Sequence, residues 1–597
     1  MKKIISLVLC LMMVLSFAAP VFADESAAAA ATYDLTIDSA IPDHTYEAWQ
    51  IFSGDLETVT GADNKTYQVL TNIKWGAAIK GEGYDNSAAV ISAIAAEAAK
   101  TDAPASIKAL ADITDPSKLA EAIADNFQTN LSNNPELELL SRILEKCFVA
   151  GKYTATDDYT DGKYEMTDLP AGYYLIKDQD NSLAGDNASY TKFILRVLKD
   201  ETVVPKADTP KVNKTINDTL GGTYTEHEDF DINDYAYYKW EGTLPSNLHS
   251  YKTYFYAFHD TLKRAGLTFV RIEQVYLEGH DGNVVKMFYD ISETDKKTVN
   301  NDTEGYELPE GIELDVYSDP ENAGYTKIDL TIADLFKLYD KENILANQKF
   351  IVKYTVRINR DAVIEESMDN AVSLEFSNDP NWEDDGDPTT PPPPPTGETP
   401  EDEAHAFTFG LKVSKTDGDT KVPLEGAEFV LYYQGTENDH VVNYYAQVIT
   451  EEMIAAGAVI NGKKVEQKDL GVVYGWTTER EEASILDTDA AGMIAIKGLD
   501  EDIYFLEETL APAGYNKLEK PIQFEIDPVY NDKGELQKVI YKIGTQEVSS
   551  NVIPVENFTG STLPSTGGMG TTLFYVFGGI MVLAAVVLLV TKKRMAA

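Results

Sequence analysis

Polar and apolar residues alternate in short stretches along most of the 597-residue chain, and turn-forming residues separate the stretches. The alternation predicts strands at residues 33–37 and 46–52 near the N-terminus, and again at 350–356. Between these regions, Ala-rich sequence predicts helices at 87–100 and 117–147. The chain therefore combines many strands with one helical region.

The strand patterns divide the chain into three folded segments, which we expect to be successive domains. In chain order they are residues 24–204, 205–378 and 407–558. Residues 379–406 are acidic and contain five consecutive prolines, a composition that predicts a stiff linker. We expect an all-β fold of tandem immunoglobulin-like β-sandwiches, the first of which carries the helices as an insertion.

The N-terminus has the composition of an export signal. Lys2 and Lys3 precede a short apolar run, and Val21 and Ala23 form a small-x-small cleavage pattern. These features predict a secretory signal peptide over residues 1–23.

The C-terminus has the composition of a membrane stop signal. The apolar run at residues 573–590 is long enough to span a bilayer, and Lys592, Lys593 and Arg594 follow it. Because basic residues favour the cytoplasmic side, the body of the chain is predicted to lie outside the cell.

An LPxTG pattern lies just before this apolar run. It consists of Leu563, Pro564, Ser565, Thr566 and Gly567. Together with the span and the basic tail, residues 559–597 resemble the sorting signal of sortase substrates. The resemblance implies that a sortase cysteine attacks the Thr566 carbonyl, releases Gly567 and links the chain to peptidoglycan. A plain single-span membrane protein is the alternative interpretation.

Charge and cysteine content agree with an exported protein. The net charge is −48, and removing both end signals takes away five basic and no acidic residues, which gives −53. Such a surface excludes nucleic acid as a partner and keeps the protein soluble. Only Cys147 remains between the two signals, so no internal disulfide can form. No metalloprotease, hydrolase or nucleotide-binding motif is present, and we expect no enzyme activity, cofactor or metal.

The third segment contains three recognisable stretches. They are LKVSKTD at 411–417, LEGAEFVL at 424–431 and YFLEETLAPAGY at 504–515. The set resembles the Cna-B-type domain of Gram-positive surface proteins, including its E-box. The resemblance implies an isopeptide bond between Lys415 and Asn557, promoted by Glu508, with Lys412 and Asn551 as alternatives.

The chemistry of such a bond is reasonable. Burial lowers the pKa of a lysine, and the neutral amine is a nucleophile. A carboxyl group buried beside it can polarise the asparagine amide, and folding holds the groups together. A surface lysine on an amphipathic strand is the structural alternative.

The second segment has a similar set of residues. Its stretches are PKVNKTI at 210–216, YFYAFHDTL at 254–262 and NAVSLEFSNDP at 370–380. They are similar to the isopeptide-forming middle domain of backbone pilins, which implies a Lys214–Asn370 bond promoted by Asp260. Lys211 and Asn378 are the alternatives.

The first segment is expected to lack such a bond, because its opening strand contains no lysine. The stretch YEAWQIFSGDL at 46–56 is similar to the N-terminal domain of the same pilins. At the junction with the second segment, Val203, Val204, Pro205 and Lys206 resemble the pilin motif whose lysine accepts the next subunit.

These resemblances imply a backbone subunit of a sortase-assembled pilus, with Thr566 of one subunit joined to Lys206 of another. The partners would be sortase, other copies of the chain and peptidoglycan; minor pilins and a host or matrix ligand are further partners that the resemblance allows. A monomeric wall-anchored adhesin is one alternative. A wall-anchored enzyme with its catalytic domain in the first segment is another.

Overall fold

A computed structural model describes residues 31–560 of the chain, except residues 40–41, 43, 61–64, 128–134, 181, 184, 206–207, 293–307, 381, 383–394 and 549. Strands predominate in this part of the chain, and they group into three successive β-sandwiches. The predicted all-β tandem architecture is therefore confirmed. None of the described helices has the length and hydropathy of a membrane span, and the predicted span at 573–590 lies outside the described residues.

The first domain packs a four-stranded sheet (β11-β1-β8-β7) near a five-stranded sheet (β10-β9-β2-β3, with β6 on β2). Its strands are β1 Thr32–Asp38, β2 Tyr46–Thr60, β3 Thr66–Trp75, β4 Lys80–Gly81, β5 Tyr84–Asp85, β6 Thr154–Thr156, β7 Tyr159–Thr160, β8 Lys163–Pro170, β9 Gly172–Asp178, β10 Lys192–Val197 and β11 Glu201–Val203. Its helices are α1 Ser87–Ala98, α2 Ala105–Lys108, α3 Pro116–Asn126 and α4 Pro135–Glu145. All four helices lie between β5 and β6, which confirms the helical insertion.

The second predicted helix, at 117–147, was wrong as one continuous element. Helix α3 ends at Asn126, and Phe127 is extended with φ −108° and ψ 122°. Helix α4 begins at Pro135, and proline is tolerated at the first turn of a helix but not in its interior. Cys147 is buried after α4, where burial raises the pKa of its thiol.

The middle domain has a five-stranded sheet (β12-β14-β20-β16-β17) and a six-stranded sheet (β18-β19-β15-β21-β22, with β23 on β21). The strands are β12 Val212–Asn217, β13 His227–Asp229, β14 Tyr235–Thr243, β15 Tyr256–Lys263, β16 Leu267–Glu278, β17 Val284–Asp290, β18 Glu313–Ser318, β19 Tyr325–Ile332, β20 Lys349–Ile358, β21 Asn370–Ser377, β22 Thr396–Glu398, β23 Asp402–Glu403 and β24 His405–Phe407. A short α-helix, α5, spans Leu335–Leu338.

The predicted linker at 379–406 was too long. Strands β22, β23 and β24 occupy its second half and pair with β21 and β13 of the middle domain. Their polar residues have partners there: Ser373 donates a hydrogen bond to Glu398 at 2.5 Å, and Thr396 donates to Glu375 at 2.6 Å. Some of the acidic residues that suggested a linker therefore lie on strands at the edge of the six-stranded sheet.

The C-terminal domain has a three-stranded sheet (β32-β25-β37) facing a larger one (β30-β27-β26-β33-β34-β35-β36, with β31 on β26). Its strands are β25 Phe409–Asp417, β26 Glu428–Glu437, β27 His440–Val448, β28 Val459–Ile460, β29 Lys463–Lys464, β30 Val473–Thr477, β31 Leu486–Asp487, β32 Met493–Leu499, β33 Ile503–Leu510, β34 Ile522–Tyr530, β35 Leu536–Ile543, β36 Gln546–Val548 and β37 Val552–Asn557. Helix α6 spans Glu451–Ala456. The first and last strands, β25 and β37, are parallel neighbours.

Carboxylates are concentrated where the middle and C-terminal domains meet. This acidic junction contains Asp229, Asp231, Asp234 and Asp500. Trp476 donates a hydrogen bond to Asp231 Oδ2 at 2.7 Å, and the Asp500 amide donates to Asp231 Oδ1 at 3.0 Å. Burial raises the pKa of Asp229 and Asp231 to about 7 and that of Asp234 to about 6, and it also raises the pKa of Asp500. The groups facing these carboxylates are Asp218, Glu228, Glu501, Asp502 and the Tyr530 hydroxyl.

We expect the acidic junction to tighten as the pH falls from 8 to 5. The folded pKa values are higher than those of the free side chains, so the docked state binds more protons and gains stability below about pH 7. Small-angle scattering at pH 5 and pH 8 would measure this as a narrower distribution of interatomic distances at pH 5. Asp231→Asn should weaken the pH response, whereas Asp419→Asn, at an exposed site of the C-terminal domain, should not. Identical scattering at both pH values would contradict the expectation.

Candidate functional site: two buried lysine sites

The first site lies in the core of the middle domain, between its two sheets. Lys214 lies on β12 of the five-stranded sheet, and Asp260 and Asn370 lie on β15 and β21 of the six-stranded sheet. Each side chain is on an inward-facing position, and all three residues are 0% exposed. The sequence-predicted trio is therefore brought together by the facing of two sheets.

The contacts at this site are direct. Lys214 Nζ donates hydrogen bonds to a carboxylate oxygen of Asp260 and, at 2.5 Å, to Asn370 Oδ1. Asp260 Oδ2 also accepts from Trp240 Nε1 at 2.8 Å and from the Tyr354 hydroxyl at 2.9 Å. The amine of Lys214 thus lies against the amide that it would attack, beside a carboxyl group that can take its proton.

Burial changes the protonation of this pair. Desolvation lowers the pKa of Lys214 to about 8, although the carboxylates of Asp260, Asp402 and Glu403 oppose the shift. Desolvation also raises the pKa of Asp260, against the opposing effect of Lys214 and of its hydrogen-bond donors. Both shifts favour the neutral amine and the neutral acid.

The second site lies in the C-terminal domain and has a different layout. Lys415 on β25 and Asn557 on β37 belong to parallel neighbouring strands of one sheet. Glu508 on β33 reaches them from the facing sheet. Lys415 is 0% exposed, and Glu508 and Asn557 are each 1% exposed.

Glu508 connects the other two residues. Its Oε1 lies 3.9 Å from Lys415 Nζ, and its Oε2 accepts a hydrogen bond from Asn557 Nδ2 at 3.0 Å. The Leu518 amide donates to the same Oε2 at 2.7 Å, which fixes the carboxyl group. Lys415 Nζ has no hydrogen-bond partner among the described residues, and burial lowers its pKa to about 8. Burial without a partner therefore favours the neutral, nucleophilic form of this amine.

The alternative residues lie elsewhere. Lys211 and Lys412 are exposed. Asn378 is buried at the contact between the first and middle domains, where its Nδ2 donates to Leu183 O at 2.9 Å. Asn551 is partly exposed at the start of the last strand. The geometry favours the pairs Lys214–Asn370 and Lys415–Asn557 over these alternatives.

A buried lysine of the first domain provides a contrast. Lys177 donates hydrogen bonds to Glu145 at 2.6 Å and Asp180 at 2.7 Å. Burial acts to lower its pKa, but these two carboxylates outweigh burial and raise it. Because Lys177 is held as an ammonium, it is not a nucleophile. The absence of an isopeptide bond from the first domain remains a prediction.

Two predicted sites lie outside the described residues. They are Lys206 and the sorting motif formed by Leu563, Pro564, Ser565, Thr566 and Gly567. The residue two positions before the predicted acceptor, Val204, is 72% exposed and follows the edge strand β11. Among the described residues, no group of three or more His, Cys, Asp and Glu side chains could hold a metal ion.

Sequence reasoning missed the aromatic residues that complete the middle-domain site. Trp240 and Tyr354 both contact Asp260, and Asn370 Nδ2 donates to the Tyr354 hydroxyl at 2.8 Å. Both residues occupy inward-facing positions of alternating strands, which was the only signal available. Which inward-facing residues meet across a sandwich depends on strand register, and alternation alone does not fix it.

We expect bond formation in the C-terminal domain to depend on pH. Below its pKa of about 8, Lys415 is mostly protonated, so the neutral fraction and the rate should rise about tenfold per pH unit from 6 to 7 and level off above 8. The starting material is unfolded, unreacted chain isolated and kept in urea, and dilution into buffers of different pH starts the reaction. The joined peptide is then counted by mass spectrometry. A rate that is constant from pH 6 to 9 would contradict the expectation.

Comparison with known protein families identifies two parts of the chain. Residues 409–540 match the family model described as SpaA, a prealbumin-like fold domain. Residues 559–596 match the LPXTG cell wall anchor motif. The chain is thus a secreted protein anchored to the wall of a Gram-positive cell. No curated protein sequence matches it.

Several major pilins are among the solved structures to which the chain is similar. The T6 backbone pilin of serotype M6 Streptococcus pyogenes is 13% identical over 89% of this chain and 99% of its own, with a TM-score of 0.42. The major pilin SpaD of Corynebacterium diphtheriae is 15% identical over 89% and 98%, with a TM-score of 0.39. The major pilin SpaA of the same organism is 11% identical over 88% and 100%, with a TM-score of 0.39, and is described as having stabilising isopeptide bonds.

Proposed function

We propose that this protein is the structural backbone subunit of a covalently polymerised pilus on the cell wall. The observation that carries the proposal is the presence of two buried lysine–carboxyl–asparagine sites, in successive domains of a chain that ends in an LPXTG anchor. In each site an isopeptide bond would join the first strand of the domain to a late strand. Such bonds serve a protein that must transmit force along its length.

The bond-forming reaction consumes no cofactor. The neutral lysine amine attacks the side-chain carbonyl carbon of asparagine, the new C–N bond forms, and the old one breaks with release of ammonia. Asp260 and Glu508 act as the promoters in the middle and C-terminal sites. The reaction happens once in the life of each domain, so the protein is not an enzyme in the ordinary sense.

The placement of the bonds fits a load-bearing role. The Lys214–Asn370 bond would join two residues that are 156 positions apart in sequence, and it would connect the two sheets of the middle domain. The Lys415–Asn557 bond would connect two parallel neighbours, the strands at which the chain enters and leaves the C-terminal domain. A pull on the chain ends would then pass through covalent bonds and bypass most of the hydrogen-bonded sheet.

Polymerisation would use the C-terminal sorting motif of one copy and the junction between the first and middle domains of another. Sortase would cleave after Thr566 and transfer its carbonyl to the amine of Lys206 in another copy of the chain. The last subunit added would be joined to peptidoglycan by the same Thr566. Minor pilins and a host or matrix ligand are further partners of this assembly.

The alternative function is a monomeric wall-anchored adhesin in which the domains with isopeptide bonds act as a stalk. The same LPXTG anchor and the same two sites would serve it. It differs in one respect, because a monomer has no use for an acceptor lysine at the junction of the first two domains.

The test compares wall proteins released with muramidase and boiled in detergent. The wild type should give a ladder of high-mass bands, and Lys206→Ala should reduce the ladder to one monomer-sized band. Lys199→Ala is the matched control, since the Lys199 side chain is 71% exposed in the same stretch, and it should leave the ladder intact. A ladder that persists in Lys206→Ala would move the acceptor to another lysine. A single band in the wild type would favour the adhesin.

A further inference from the structure

The two lysine sites differ in how the carboxyl group reaches the asparagine. In the C-terminal domain, Asn557 Nδ2 donates directly to Glu508 at 3.0 Å. In the middle domain, Asp260 contacts Lys214 instead, and the hydrogen bonds of the described residues connect Asp260 to Asn370 Nδ2 through one group, the Tyr354 hydroxyl. One residue therefore stands between the promoter and the leaving nitrogen.

The Tyr354 hydroxyl is placed to pass a proton in either direction. It donates to Asp260 Oδ2 at 2.9 Å and accepts from Asn370 Nδ2 at 2.8 Å. Tyr354 is 0% exposed on strand β20, so no bulk water can substitute for it. Trp240 Nε1 donates to the same Asp260 oxygen at 2.8 Å, which holds the carboxyl group in line.

The reaction needs a proton at the leaving nitrogen. An amide nitrogen cannot leave as an anion, so Nδ2 must gain a proton while the bond from Cγ to Nδ2 breaks. At the same time, Lys214 Nζ must lose a proton to become an amide nitrogen. Nζ lies against Asp260 and Asn370 Oδ1, whereas the group that contacts Nδ2 is Tyr354.

We propose that Tyr354 is a catalytic residue of the middle-domain reaction and relays the proton from Asp260 to the departing nitrogen of Asn370. Neutral Lys214 Nζ attacks Cγ, and the Cγ–Nδ2 bond breaks. The phenol gives its proton to Nδ2, which leaves as ammonia. Asp260 restores the phenol proton and takes in turn the proton that Nζ releases, so the acid and the phenol both end the reaction as they began.

Burial supports this role of the phenol. Desolvation raises the pKa of Tyr354 well above its ordinary value, so the group stays a neutral O–H that can donate and accept at once. The C-terminal site has no need of such a relay because Glu508 contacts Asn557 Nδ2 itself. The inference rests on the proposed isopeptide bond and assigns the group that completes its chemistry.

The test follows bond formation in unreacted mature chain, residues 24–566, that has been isolated in urea and is then diluted to start folding. The joined peptide containing Lys214 and Asn370 is counted over time. Tyr354→Phe keeps the ring but removes the hydroxyl, and the rate should fall about 10²-fold or more, the contribution of a positioned acid–base group. Tyr256→Phe is the matched control. It removes an equally buried hydroxyl of the same core, which donates to Thr243 O at 3.1 Å, and should react at the wild-type rate.

The outcomes distinguish failure of the proposed isopeptide bond from failure of the proposed Tyr354 relay. If the wild type never forms the joined peptide, the proposed isopeptide bond itself is wrong. If the wild type reacts fully and Tyr354→Phe reacts as fast as Tyr256→Phe, the bond stands and the relay is wrong. A slow Tyr354→Phe beside a fast Tyr256→Phe supports the relay.

A second measurement does not depend on the folding of a variant. In the wild type, the rate at each site is compared in H2O and in D2O. The relayed reaction at Lys214 moves more protons in its slow step, so its isotope effect should exceed that at Lys415 in the same molecule. Equal isotope effects at the two sites would overturn the relay even if Tyr354→Phe failed to fold.

Discussion

Replacing Lys214 by methionine is expected to lower the stability of the middle domain by about 5 kcal/mol, the loop-closure term for a cross-link over this length of chain. Methionine keeps an apolar stem of similar length in the core but cannot form the bond. A domain of this size should then unfold roughly 10–20 °C lower. Differential scanning calorimetry of the mature chain would measure the shift.

The matched control is Lys211→Met. Lys211 lies three residues before Lys214 but is exposed, so its replacement should change the melting temperature little. If Lys214→Met and Lys211→Met melted together, the middle domain would not owe its stability to a covalent bond at Lys214.

Glu508→Gln is expected to stop or strongly slow bond formation in the C-terminal domain. Glutamine keeps the shape of the side chain but cannot exchange a proton between Lys415 and Asn557. Loss of a positioned acid–base group lowers a rate about 10²- to 10⁴-fold. The variant should therefore be recovered with Lys415 and Asn557 unjoined, as peptide mapping by mass spectrometry would detect.

The neighbouring residue provides the control for this variant. Glu507 points to the opposite face of β33, where Arg480 pairs with it at 2.9 Å. Glu507→Gln should leave the Lys415–Asn557 bond fully formed. A fully formed bond in Glu508→Gln as well would remove Glu508 from the reaction and leave burial of Lys415 as the whole cause.

Much of the candidate site was readable from sequence because its residues lie in short, specific stretches. Lys214, Asp260 and Asn370 were predicted from the resemblance of their stretches to the isopeptide-forming middle domain of backbone pilins, and the structure brings the three side chains together. Glu508 was placed by the E-box, and it contacts Asn557. The all-β tandem fold followed from the period of the apolar residues, which is local information.

What could not be read depends on contacts between distant elements. The relay residue Tyr354 pairs in register with Tyr238 on β14 and meets Asp260 across the sandwich, and neither contact leaves a local pattern. The strands within residues 396–407 look like linker because their polar side chains find partners on the middle domain rather than in water. The acidic junction was missed for the same reason, since Asp231 and Asp500 are far apart in sequence.

The intact mass of the mature protein, residues 24–566, tests the central claim most directly. Two isopeptide bonds release two ammonia molecules, so the measured mass should be about 34 Da below the sum of the sequence. Lys214→Met and Glu508→Gln should each show a deficit of about 17 Da relative to their own sequences. A wild-type mass equal to the mass calculated from the sequence, with no loss of ammonia, would contradict both bonds. It would also contradict the account of this chain as a pilus subunit with internal isopeptide bonds.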